Sequence, residues 1–178
     1  MWKGLFVSTV AFAQGLPPGA GEVRLGLGVF NLAPGGADAQ VQYRLPGRPW
    51  LVGLRFAQWT DRAHDPFTGR ALTDTRETRA GATLDYLFQP DRSFSWTVGV
   101  SLLRWAKAEK SLMTGEVGRD ARTAPCVGGG IMGTLGPHAC YQVGIYLAPG
   151  VSLHTRTSVS SEDDSGGFDI RAGVGLRF

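Results

Sequence analysis

Ser152, His154 and Arg156 occupy alternate positions of VSLHTRTSVS, so a strand there would carry all three on one face. Serine beside an imidazole is the minimum for acyl chemistry, the imidazole taking the hydroxyl proton as the oxygen attacks. Such a site also needs a group that orients the imidazole and a path for the substrate. No accompanying motif supplies either. Ser152 and His154 are therefore the catalytic candidates, set against a hydrogen-bonding role for His154 on a polar face, which is the reading we prefer. Gly128 to Gly133 (GGGIMG) matches G-x-G-x-x-G, but it follows a Pro-Cys pair and opens no helix to receive a pyrophosphate. His64, Asp65, Glu162, Asp163 and Asp164 could ligate a cation, but they read as solvated loop charge. Cys126 and Cys140 form no C-x-x-C pair, and His138 nearby leaves them short of a zinc ligand set. In an exported chain the even count predicts a loop disulfide between them. No cofactor is implied.

The bulk properties narrow the classes. A chain of 178 residues suffices for one domain, and its net charge of +3 is spread over strands and loops rather than gathered in a stripe. Nucleic acid is therefore not an expected partner. No apolar run approaches the ~18 residues of a spanning helix. The start, MWKGLFVSTVAFA, has a lysine, an apolar Gly4–Val10 and a small-x-small Ala11-Phe12-Ala13, which reads as a secretory signal over residues 1–13.

The elements that must position these residues follow a period of two throughout. Val23, Leu25, Leu27 and Val29 alternate with Arg24, Gly26 and Gly28. Ala39, Val41, Tyr43 and Leu45 alternate with Gln40, Gln42 and Arg44, and Trp50, Val52, Leu54 and Phe56 with Gly53, Arg55 and Ala57. Further strands are predicted near 76–88, 94–106, 141–147, 151–156 and 168–178. Tight turns fall at Pro46, Pro90 and Pro149, and polar loops at Asp61–Thr75 and Lys107–His138 lie at the other end. The VGGGIMGTL stretch within the second loop is either a further strand or a segment packed over the mouth. With no helical period between them, these segments predict an all-β, eight-stranded antiparallel up-and-down barrel.

Three features decide which face points outward. The polar face is rich in glycine, which would make room for Arg and Gln in a narrow bore but would only weaken a solvated strand. The aromatics Trp50, Phe88, Phe94, Trp96 and Phe178 flank tight turns or the chain end, so they collect at one rim as a girdle. Strands of about ten residues suit a tilted bilayer crossing. A soluble lipocalin-like ligand-binding barrel would need charge-rich outer faces, yet Lys3, Lys107 and Lys110 all fall outside strands or at their ends. The predicted fold is thus a transmembrane barrel with Arg24, Arg55, Asp85, Arg156, Asp169, Arg171 and Arg177 turned inward. Closure of the first strand on the last would bring Arg24 near Asp169 or Arg171. Since basic residues outnumber acidic ones, waters or loop carboxylates must balance them.

The pattern over residues 22–178 resembles the small eight-stranded outer-membrane barrels of Gram-negative bacteria, the OmpA/OmpX-like group. Its most specific element is the last strand. Phe168, Ile170, Val174, Leu176 and the terminal Phe178 resemble the C-terminal signal read by the outer-membrane insertion machinery. The resemblance implies residence in the bacterial outer membrane, contact with membrane lipid, and residues 14–21 as a periplasmic lead-in. Function varies within the group, so the expected role is structural or interactive: a plugged lumen and external loops offered to a protein partner. Some outer-membrane barrels hydrolyse or transfer acyl groups of lipid A, and that is the rival reading for Ser152 and His154.

Overall fold

The computed structural model describes residues 21–28, 35–90, 92–156 and 161–178, without the side chains of 152, 154–156 and 161–166. Eight antiparallel strands follow one another round a closed barrel. They are β1 (Glu22–Gly28), β2 (Ala37–Arg44), β3 (Trp50–His64), β4 (Ala71–Leu87), β5 (Phe94–Ser111), β6 (Val117–Thr134), β7 (Ala139–Arg156) and β8 (Ser161–Arg177). β1 closes the ring on β8, with Arg24 opposite Arg177 and Gly28 opposite Gly173. Val23 and Phe178 exchange backbone hydrogen bonds of 3.1 and 2.9 Å at the seam. No edge is left between the first and last strands, as hydrocarbon requires.

The alternation sets the orientation. Val52 and Leu54 are 44% and 65% exposed, whereas Arg55 and Asp85 are 4% and 0% exposed. Every strand repeats this, from Val23 and Leu27 on β1 to Val174 and Leu176 on β8. On β5 the outward run Phe94, Trp96, Val98, Val100, Leu102 covers about 20 Å of barrel height, near the ~25 Å apolar band of membrane barrels. Trp50 packs edge-on to Tyr86 at 5.0 Å, Tyr86 to Phe88 at 5.3 Å and Phe94 to Trp96 at 5.6 Å, all at the rim of the tight turns.

The strand number agrees with the sequence reading, but three assignments change: an expected loop holds β6, two expected strands merge into β7, and most of a second expected loop is strand. Lys107–His138 is not a loop: β5 runs on to Ser111, a short turn follows, and Val117–Thr134 is the whole of β6. The GGGIMG stretch thus lies inside a strand. Pro149 makes no turn either, because β7 continues through it. The register shifts between Ala148 and Ser152, with Gly150 at φ 76°, so a bulge holds the residue that cannot donate to the ladder. The third tight turn is instead Leu135–His138, where Gly136 takes φ 85° and Leu135 N–H reaches Ala139 O at 2.8 Å. Likewise Asp61–Thr75 is mostly β3 and β4, and only residues 65–70 turn. Hairpins β3–β4 and β5–β6 therefore rise well past the apolar band as paired strands.

Candidate functional site: the charged barrel interior

Inward positions of six strands build one ion-pair network. Arg55 of β3 binds Asp169 of β8, approaches Asp38 of β2 at 3.3 Å, and donates to the Ile170 carbonyl at 2.8 Å. Arg171 of β8 bonds Asp169 at 3.2 Å, Asp85 of β4 at 3.3 Å and the Ser101 hydroxyl of β5 at 2.8 Å. Asp85 also accepts from the Tyr146 hydroxyl of β7 at 2.5 Å and from Gln42 at 3.2 Å. The Arg171 guanidinium lies 3.5 Å from the Tyr146 ring centre, a cation–π contact as well as an ion pair. These charges are buried, so each must be matched to be tolerated, and each is.

A second cluster lies toward the tight-turn end. Glu22 receives Arg24 at 2.5 Å, Arg177 at 3.5 Å and Arg44 at 3.9 Å. Arg24 is thus paired on its own strand, and the expected contact with Asp169 or Arg171 is corrected. The β1–β8 register places Arg24 beside Arg177, while Asp169 lies beyond Gly173, farther up the barrel. Toward the long hairpins Arg79 bonds Glu77 at 2.8 Å and the Phe168 carbonyl at 2.7 Å. Its guanidinium is sandwiched between Trp59 and Trp105, 4.5 and 3.9 Å from their ring centres. Arg79 also approaches Asp169 at 3.5 Å, which ties this tier to the central network, and apolar side chains pack at either end of it. Leu51, Leu87 and Met132 pack near the turns, and Leu103, Trp105, Cys126, Val151 and Leu153 pack above the central network. A cavity of about 40 Å³ remains between Arg24, Gln42, Gln142 and Arg171.

Glycine does the fitting. A Cβ on Gly99, the register partner of Asp85, would stand 2.1 Å from the Asp85 carboxylate and 2.7 Å from the Leu84 carbonyl. Only a bare backbone at 99 leaves that carboxylate its place in the bore.

The structure brings Arg55, Asp85, Asp169 and Arg171 together and holds Arg24 in the lower cluster. The side chains of Ser152, His154 and Arg156 lie outside the described residues. So do those of Glu162, Asp163 and Asp164. His64 ends β3, and Asp65 uses its carboxylate to hold the Phe67 and Thr68 amides at 2.8 and 3.0 Å. Those two bonds hold the Asp65 carboxyl below its usual range, that from Thr68 contributing most.

The disulfide expectation is overturned: Cys126 and Cys140 are both free and buried. Cys140 sits opposite Thr134. At roughly 3.3 Å per residue, the 126–134 stretch separates the thiols by about 26 Å, against a limit near 7 Å between bridged Cα atoms. Among the described residues the counter-charges stand on strands rather than loops. Glu22, Asp38 and Glu77 are strand residues, and each sits an even number of places from an arginine of its own strand or opposite one on the next. That spacing is the signal by which they could have been found.

An apolar exterior around a cross-braced charged bore defines a transmembrane β-barrel of the eight-stranded outer-membrane type. Solved structures share this fold. The N-terminal β-barrel domain of Pseudomonas aeruginosa OprF matches with TM-score 0.55 and 13% identity over 89% of this chain and 96% of that one. Ail, the attachment invasion locus protein of Yersinia pestis, crystallised with the heparin analogue sucrose octasulfate, matches with TM-score 0.53 and 15% identity over 89% and 97%. Neisserial surface protein A matches with TM-score 0.53 and 11% identity over 88% and 92%. At these identities the likeness is one of fold. No protein-family model and no curated protein matches the sequence.

Proposed function

We propose that this chain is a bacterial outer-membrane protein without catalytic chemistry, whose bore is closed to solutes and whose long hairpins serve structure or recognition outside the cell. The observation that carries this reading is the network Arg55–Asp169–Arg171–Asp85–Tyr146, which spans the bore from strands on opposite sides. An eight-stranded bore is narrow, and moving a solute through it would mean separating buried, mutually paired charges, at several kcal/mol for each ion left unpaired. The β3–β4 and β5–β6 hairpins supply the recognition surface, being paired strands with short turns at 65–70 and 112–116 rather than long loops. Ail with its bound heparin analogue supports, by fold alone, a role in recognition. The outward row Phe168, Ile170, Val174, Leu176 on β8, ending in Phe178, is the element we assign to the insertion machinery.

The test is reconstitution of the refolded chain in planar bilayers. Folding is verified by the mobility shift that boiling causes on a gel. A closed barrel gives no unit conductance and no deacylated or acyl-transferred lipid A. Discrete channel steps would refute closure, and lipid A turnover lost on S152A or H154A would establish the enzymatic alternative.

A further inference from the structure

The outward faces of β4, β5 and β6 carry a feature unconnected with the bore. On β5 the lipid-facing run ends at Leu102, and the next outward residue is Arg104, which is exposed. One row above the Thr78–Ala106–Ala121 row, Arg76 of β4 stands opposite Ala108 and Ala108 opposite Arg119 of β6; one row below, Arg104 stands between Ala80 and Thr123. Three exposed arginines therefore surround a floor of Ala106, Ala108 and Ala121. Arg76 and Arg119 are two strands apart, about 10 Å, and Arg104 lies about 13 Å down the strand from Ala108. The small floor leaves a basin of about 400 Å³ between the three side chains.

Among the described residues the charge in this basin is only partly offset, since Asp120 is the one carboxylate lining it beside Arg76, Arg104, Lys107 and Arg119. Arg76 bonds the neutral Gln58 among the described residues. Among the described residues, no carboxylate lies within ion-pair distance of Arg104 or Arg119. The acids nearby are already engaged: Asp74, on the outward face beyond Arg76, holds Arg62 at 2.5 Å, and Asp120, at the basin edge, faces the bore with Arg122 at 3.6 Å. Lys110, exposed and two positions beyond Ala108, adds another cation. A patch facing bulk solvent would not need this placement. Here the basin begins where hydrocarbon contact ends, at the depth of the lipid head groups, and guanidinium forks match phosphate oxygens two at a time.

We propose that Arg76, Arg104 and Arg119 form a docking site for phosphate-bearing head groups of the lipid leaflet around the hairpin end of the barrel. The inference rests on the barrel standing in a bilayer, which the boiling shift checks separately. The full chain is reconstituted in phosphatidylcholine vesicles with and without bisphosphorylated lipid A, and its thermal unfolding midpoint is measured. Lipid A raises the midpoint of the unaltered chain; R76Q/R104Q/R119Q loses that gain while keeping its boiling shift, and R76K/R104K/R119K keeps part of it. The control R48Q/R92Q, at the opposite turns, keeps all of it. Inorganic phosphate added to phosphatidylcholine vesicles gives no rise, which separates the head group from the free anion. An undiminished gain in the triple Gln variant, or an equal loss in the control, overturns the proposal. A triple Gln variant that loses binding of soluble sucrose octasulfate but keeps the lipid A gain also overturns it, assigning the basin to a soluble glycan.

Discussion

Arg171 and Asp85 stand on β8 and β4, strands diametrically opposed in a ring of eight, and their side chains meet at 3.3 Å across the bore. The pair braces the barrel along a diameter, where the backbone ladder offers no support. Asp85 has two further donors, Tyr146 and Gln42, so removing its carboxylate takes a partner from three groups at once, and Arg171 keeps Asp169 and Ser101. We expect D85A to cost about 3–5 kcal/mol in denaturant unfolding from lipid vesicles, the cost of breaking a buried pair. R171M combined with D85L should cost less than either single change. Additive losses in that cycle would show that the two residues act independently.

Gly99 is expected to tolerate no side chain. G99A places a methyl carbon against both the Asp85 carboxylate and the Leu84 carbonyl, and such overpacking costs about 1–3 kcal/mol. Gly26 also faces inward, yet a Cβ there would meet nothing nearer than 4.0 Å. G26A should therefore unfold at nearly the same denaturant concentration as the unaltered chain. Equal losses at the two sites would contradict the fitted bore.

The thiols are expected to stay separate. After oxidation of the folded barrel, intact mass should show no loss of two hydrogens within one chain, and alkylation of Cys126 and Cys140 should require unfolding. An intramolecular Cys126–Cys140 peptide after digestion would overturn the register assigned to β6 and β7.

The 65–70 turn should respond to acid. Asp65 has a lowered pKa in the folded turn, so its two amide bonds contribute fully above the ordinary carboxylate value of 3.8 and are lost as pH falls through the lower folded value. A carboxyl-detected NMR titration should place Asp65 below 3.8, and D65A should remove the acid-dependent change in the Phe67 and Thr68 amide shifts. A titration at or above the ordinary value would refute the turn geometry.

The alternation made the fold legible because lipid and bore sort side chains by a period of two, and rows such as Trp50–Phe56 obey it strictly. It failed where that rule lapses. Above the membrane both faces of a strand meet polar surroundings, so Lys107–Ser111 and Val117–Arg122 show no apolar row and read as loop. Pro149 signals a turn in any local reading, and only the neighbouring strands show that a bulge absorbs it. The interior was half legible. Arg55, Asp85 and Arg171 stand out as charges within apolar segments. Leu51, Leu103 and Trp105 were hidden, because an apolar residue on the inner face looks like its lipid-facing neighbours. Arg79 and Tyr146 owe their roles to partners on distant strands, which no local pattern discloses.

The central claim is that the Trp50–Phe56 row faces lipid while Arg55 faces the bore. It is tested most directly with a nitroxide at L54C, in a C126S/C140S background, on the refolded barrel in phospholipid vesicles. The account predicts strong relaxation by lipid-dissolved oxygen and almost none by a water-soluble nickel chelate. Relaxation dominated by the chelate, or protection from both, would place residue 54 in water or inside the barrel and contradict the account.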